Sequence, residues 1–220
     1  TGSSILNNIE ALPKSLIFWR SSTHFIGGLG VVVFLLLVMP EASPYRLRLT
    51  NMEMSSLSKD GYRYTSTKGV RIITTVYASL TVLALLSLWA AGMPFFDAIN
   101  HAFSIAATGG FSTKNLSVGA FNSDLINIIV LIFMAVCAMH FGLIYAVFVT
   151  RSLKPMNNTV VRYYFGSILV MTVLIAFSLL TKGGYDSFGK ALMDSSFTVV
   201  SYMSTAGFAI CDNSLWPWLA

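Results

Sequence analysis

Long uncharged apolar runs separated by short polar breaks set the pattern of this chain. Four runs are long enough for a bilayer crossing, which takes about 20 predominantly apolar residues. The first, 21–39, carries no charge, stops at Pro40 and extends back through Leu16, with Arg20 near its outer end. The second, 72–91, ends at Gly92-Met93-Pro94. The third, 125–150, is the longest at 26 uncharged residues, which predicts a tilted helix or one that projects from the bilayer. The fourth is 163–181. Two further stretches fail the test. Segment 95–107 has 13 residues and contains Asp97 and His101, while 187–204 holds Lys190, Asp194 and the pair Ser195-Ser196. Such segments are more often re-entrant or interfacial than spanning. Each lies between an apolar run and a glycine-bearing turn. The predicted order is therefore span, half-helix, glycine turn, span.

Composition agrees. Of the 220 residues, 55% are hydrophobic and 10% charged, with a mean hydropathy of +0.71. A soluble domain carries about 25% charged residues. An integral membrane protein follows. The net charge of +5 would raise the question of nucleic acid on a soluble chain, but its placement points to topology instead. Arg46, Arg48, Lys59, Arg63, Lys68 and Arg71 crowd the segment after Pro40, and Arg151, Lys154 and Arg162 crowd the next break. The opposite loops, 92–124 and 182–220, carry Lys114, Lys182 and Lys190 against five acids. By the positive-inside rule the two basic loops are cytoplasmic and the half-helices enter from outside. No nucleic-acid partner is implied. Cys137 and Cys211 are far apart, without the spacing of a zinc module or a disulfide framework. The chain opens at Thr1 with no signal sequence and reads as a piece of a longer protein.

An internal repeat carries the chemistry. At an offset of 97 residues, Ser104-Ile-Ala-Ala-Thr108-Gly109-Gly110-Phe111 falls on Ser201-Tyr-Met-Ser-Thr205-Ala206-Gly207-Phe208. Both read S-x-x-x-T-[GA]-G-F after a short amphipathic helix. Thr1-Gly2-Ser3 matches the end of that pattern and leads into the first span. Self-similarity at a long period marks duplicated units. Irregular backbone at membrane depth is tolerated only when buried in protein or lining a water-filled cavity. Several Thr-x-Gly turns around one axis would form a ring of carbonyl oxygens able to replace the hydration shell of an alkali cation. The partly negative C-terminal ends of the half-helices would favour the same charge.

On these residues the chain resembles the Trk/Ktr/HKT superfamily of potassium transporters, above all their bacterial TrkH-like members. The matching residues are Thr1-Gly2, the segment from His101 to Thr113, Ser204 to Ala209 with Leu215-Trp-Pro217, and Leu12 to Leu16, Trp19-Arg20 and Gly27 to Gly30. The resemblance implies an all-α membrane protein of repeated helix–pore-loop–helix units, with four transmembrane spans and re-entrant pore helices in this stretch. The implied divisions are the end of a first pore loop and its inner helix (1–39), a cytoplasmic linker (40–69), a complete second unit (70–150), a second linker (151–162), and the outer helix and pore loop of a third unit (163–220). A fourth unit should follow residue 220. The implied filter is Thr1 and Gly2; Thr108, Gly109 and Gly110; and Thr205, Ala206 and Gly207, all binding potassium through backbone carbonyls. Family members with Ser at a filter glycine admit sodium more readily, so Gly2, Gly110 and Gly207 imply potassium preference. The resemblance further implies a homodimer in the inner membrane, surrounded by lipid. A cytosolic nucleotide-binding regulatory subunit of the TrkA/KtrA kind would dock on the basic loops. No organic cofactor is implied.

Other readings remain open at this level. Sodium-permeable transport and proton- or sodium-coupled symport fit the same motifs. A membrane enzyme needs a catalytic constellation, and the spans contain no acid, with His24 and His140 on different runs. A scaffold or sensor has no need of the repeated turn. Gly27, Gly28 and Gly30 lack the strand and spacing of a nucleotide loop and predict close helix packing. His24 and His140 read as hydrogen-bonded between helices or as water-lined proton sensors, and His101 as packing behind the filter. Asp97, Asp124, Asp186 and Asp212 read as solvated helix starts or as a draw on cations at the mouth. Trp89, Trp216 and Trp218 read as interface anchors.

Overall fold

A computed structural model of the protein describes residues 6, 8–38, 66–182, 185, 187–213 and 216. Thr1, Gly2 and most of the first basic loop lie outside the described residues. Seven α-helices and two short 3-10 turns make up the described chain, with no strand among the described residues. They are α1 (Lys14–Val38), α2 (Ser66–Ala90), α3 (Phe95–Ala106), α4 (Asp124–Cys137), α5 (Phe141–Thr150), α6 (Thr159–Lys182) and α7 (Phe188–Met203).

Length separates two classes of helix. At 1.5 Å per residue, α1, α2 and α6 reach about 36–38 Å, enough for a hydrocarbon layer of about 30 Å. On length and composition, Arg71–Ala90 and Thr159–Thr181 qualify as spans. α3, with 12 residues, and α7, with 16, reach only about 18 and 24 Å, shorter than that layer. Gly92, at φ +93°, and Pro94 reverse the chain between α2 and α3, and Asp97 sits in the first turn of α3, where a negative charge suits the helix dipole.

The longest predicted span departs from expectation. Instead of one tilted helix, 125–150 is broken into α4 and α5, which meet at 97°. His140 leaves the helical region at φ −63°, ψ 122°, and its Nδ1 accepts from the N–H of Gly142 at 3.3 Å. A side chain thus takes over the role of the missing carbonyl at the start of α5.

Packing follows the repeat. α2 lies against α3 and α6 against α7, each long helix with its own half-helix. α3 also touches α1 and α4, and α4 reaches α2 and α7. The core sits where these helices converge: Leu88, Met93, Ala98, Ile105, Val118, Val130, Met134 and Phe197 are all buried. α6 stands out by contrast, with Tyr163, Leu169, Val170, Val173, Leu174 and Phe177 exposed. An apolar helix exposed in this way suits lipid rather than water. Of the glycines on α1, only Gly28 marks a close approach. A Cβ there would lie 2.9 Å from the Tyr77 hydroxyl and 3.1 Å from Ala107 Cβ, whereas Gly27 has nothing within 4 Å.

Candidate functional site

The two described turns, the second (108–110, after α3) and the third (205–207, after α7) of the repeat in the sequence, have the same backbone. At the end of α3, the N–H of Gly109 donates to the Ser104 carbonyl (2.8 Å) and that of Thr108 to Ile105 (3.0 Å). At the end of α7, Ala206 donates to Ser201 (3.0 Å) and Thr205 to Tyr202 (3.1 Å). This pair of bonds is the Schellman arrangement, which closes a helix through one residue in the left-handed region, usually Gly. Here that residue is Thr. Thr108 has φ +49° and Thr205 φ +56°, followed two residues later by Gly110 at +73° and Gly207 at +80°. A β-branched residue with positive φ is a genuine outlier, and holding one there costs about 1–3 kcal/mol. It occurs twice, at equivalent positions of the two turns.

Ser closes each turn from behind. The N–H of Phe111 donates to Ser104 Oγ at 2.6 Å, and the Ser201 hydroxyl donates to the Phe208 carbonyl at 2.7 Å. The turns then meet. A Cβ on Gly110 would collide with the Ala206 carbonyl oxygen and lie 3.0 Å from the carbonyl carbon of Gly207. Beyond the turns, the N–H of Gly119 donates to the Ala209 carbonyl and that of Ala209 to Ser117 Oγ, both at 3.2 Å. The loop after the second turn is thereby stitched to the exit from the third.

Six of the eight sequence-predicted residues are described, and Thr108, Gly109, Gly110, Thr205, Ala206 and Gly207 come together in one place. Below them lies a cavity of about 520 Å³. The C-terminal ends of α3 and α7 line it, through Ala106 to Thr108 and Met203 to Thr205, with Gly28, Tyr77 and the α4–α5 break at Cys137–Phe141. Among the described residues no carboxylate, lysine or arginine lines it. The helix ends supply its electrostatics, since the last carbonyl groups of a helix carry about half a negative charge.

His101 is fully buried behind the second turn. Its Nδ1 donates to the Asp97 carbonyl (2.7 Å), which leaves Nε2 to accept from the Ser112 hydroxyl (2.9 Å). Ser112 Oγ in turn accepts from the N–H of Lys114 at 3.0 Å. Packing behind the turn is what the sequence suggested for this histidine. Asp97 does more than begin a helix, because its Oδ1 accepts from the Thr113 hydroxyl at 2.7 Å. Its equivalent at the offset of 97 is Asp194, buried, whose Oδ2 accepts from the Tyr185 hydroxyl at 2.8 Å. The repeat signal could have found this pair. Burial and Asp194 both hold the Tyr185 phenol above its ordinary range. Burial first, then Asp194, push the Cys211 thiol up to about 11. Among the described residues no cluster of three or more His, Cys, Asp or Glu side chains could hold a metal ion.

Comparison with known proteins gives one consistent answer. Residues 1–217 match the TrkH family, described as cation transport protein. The chain is 35% identical over 219 residues to the Trk system potassium uptake protein TrkH of Salmonella typhimurium, covering 99% of this chain and 45% of that protein. It is 31% identical to the Trk system potassium uptake protein TrkG of Escherichia coli, again over 99% of this chain and 45% of the relative. The crystal structure of the potassium transporter TrkH from Vibrio parahaemolyticus superposes with a TM-score of 0.79 at 28% identity, covering 98% of this chain and 44% of that one. The chain thus spans less than half the length of the relatives it matches.

Proposed function

Because this chain belongs to the TrkH family of cation transport proteins, we propose that it is part of a potassium uptake pore whose selectivity filter is built from Thr1-Gly2 together with the turns at Thr108–Gly110 and Thr205–Gly207. The observation that carries this reading is the paired strain: two Thr residues in the left-handed region, at equivalent places, in turns that abut. Backbone strain of this kind clusters at functional sites, where the shape itself is the device.

The physics runs as follows. A potassium ion entering the filter gives up its water only if other oxygens take its place, and backbone carbonyls do so without carrying a net charge. Gly110 and Gly207 keep positive φ without the penalty of a side chain, and Gly110 also lets the two backbones approach. The adjoining cavity, faced by two helix C-termini, lowers the energy of a cation still wearing part of its water. A fourth turn from the remainder of the protein completes the ring. The pore works in the inner membrane as one half of a homodimer, with loops 40–69 and 151–162 on the cytoplasmic side receiving a nucleotide-binding regulatory subunit. Arg151, Lys154 and Arg162 supply charge for that contact.

Gly110→Ser in the full-length protein tests the reading. A side chain there meets the Ala206 carbonyl, so the ring must shift. A tenfold change in relative permeability needs only about 1.4 kcal/mol of differential barrier. The substitution should weaken growth at low potassium, in a strain lacking its own uptake systems, and raise sodium entry relative to potassium. Unchanged discrimination at normal membrane levels would remove Gly110 from the filter.

A further inference from the structure

The second turn is gripped from outside by two side chains of α1. Arg20 and His24 are one helical turn apart and project from the same face. The guanidinium carbon of Arg20 lies 3.6 Å from the centroid of the Phe111 ring, and the His24 ring stacks on that phenyl at 3.6 Å and 12°. Two groups at this distance cannot share one face of a ring, so Phe111 is held between them. Arg20 Nη1 also donates to the Ser112 carbonyl at 3.4 Å. The imidazole of His24 lies against Gly109, where a Cβ would strike its Nδ1. The residues on both sides of Gly110 are therefore fastened to a helix of the preceding unit.

Nothing of this kind grips the third turn among the described residues. Phe208 stacks on His101 at a looser 5.9 Å and 23°, and no cationic side chain lies over it. Arginine suits the grip because a planar guanidinium stacks its face on the ring while its edge donates, whereas an ammonium is a compact point charge with no flat face to stack.

We propose that Arg20 is a specificity-determining positioning residue, which acts with His24 through Phe111 to fix the spacing of the carbonyls of Thr108–Gly110. The inference rests on reading these turns as the filter. A turn that carries a strained Thr108 has a relaxed alternative close in energy, and the clamp removes it by holding Phe111 and Ser112 in place.

The test uses the full-length protein in cells without other potassium uptake systems. It reads the KM and maximal rate for potassium, the inhibition by sodium, and the amount of protein in the membrane. Arg20→Lys keeps the charge and removes the planar stack. It should raise KM and reduce the preference for potassium over sodium by about tenfold at normal membrane levels, the signature of a site that has lost its fit rather than its abundance. A merely structural role would lower the amount or the maximal rate and leave the preference alone, and that outcome overturns the proposal. Phe111→Leu removes the clamped ring itself and should lose the same preference. It decides the matter if Arg20→Lys fails to accumulate. Gly110→Ser separates the two levels of the argument. If it shifts preference and the clamp variants do not, the filter reading stands and the clamp falls. If none of them does, the filter reading falls first.

Discussion

The second and third turns share one backbone and differ in their surroundings. Both end a half-helix through the same pair of hydrogen bonds, put Thr in the left-handed region and follow it with a glycine of positive φ. Yet Gly110 is walled in by the backbone of Ala206 and Gly207, while Gly207 has nothing within 4 Å of a Cβ position among the described residues. Ser104 accepts a bond from the backbone of its turn, whereas Ser201 donates one. Phe111 is sandwiched and Phe208 only loosely stacked. The local sequence determines the form of such a turn, and neighbours contributed from elsewhere determine how tightly that form is held.

The widest gap between the turns should appear on adding a methyl group. Gly110→Ala meets backbone that cannot swing aside, so overpacking of about 1–3 kcal/mol adds to a left-handed penalty of about 1–2 kcal/mol. Gly207→Ala should carry the conformational penalty alone. Thermal unfolding of the purified full-length protein should therefore show a distinctly larger loss for Gly110→Ala, and equal losses would mean that the turns do not abut.

Removing the serines should give a smaller contrast. Ser104→Ala leaves the buried N–H of Phe111 without an acceptor, a loss of about 1–3 kcal/mol. Ser201→Ala removes a donor from a carbonyl, nearer the ordinary net value of about 0.5–1.5 kcal/mol. A reversed order, in the same unfolding assay, would contradict the donor assignments.

The smallest effect leaves stability untouched. Cys211 follows the third turn where Lys114 follows the second, so labelling assigned to Cys211 by peptide mapping reports on that turn only. With its pKa pushed up to about 11, far less of it is thiolate at pH 8 than of a free thiol near 8.5. Alkylation by iodoacetamide should be slow at pH 8 and rise about tenfold per pH unit toward 11. Asp194→Asn removes one of the groups that hold the proton on and should speed it. Rapid labelling at pH 8 would show that burial does not hold the proton on this thiol, and an unchanged rate in Asp194→Asn would remove Asp194 from its surroundings.

What could be read beforehand follows from range along the chain. Helix lengths, the half-helices and the repeated turn depend on residues a few positions apart, and the offset of 97 exposes them. His101 was legible too, as a lone histidine in a pore-helix pattern. The break at 138–140 was not, because no proline or charge interrupts 125–150 and the only cue is His140 two residues before Gly142. The sandwich on Phe111 joins residues about 90 positions apart, which no periodicity reveals. Asp194 was visible at the same offset as the turns, but a carboxylate in an apolar stretch reads as a fault in a span before it reads as a partner for Tyr185.

The grip on each turn also has a direction in time. Phe111 is held by Arg20 and His24, Phe208 stacks on His101, and Ala209 is bonded to Ser117 and Gly119. In each of these three contacts the holding residues leave the ribosome before the residues they hold. Protein chains are built from the N-terminus and settle in that order. A strained turn therefore emerges beside a template already in the membrane, rather than waiting for one. Circular permutation that moved α1 behind the later units would keep every contact and lose that sequence of events.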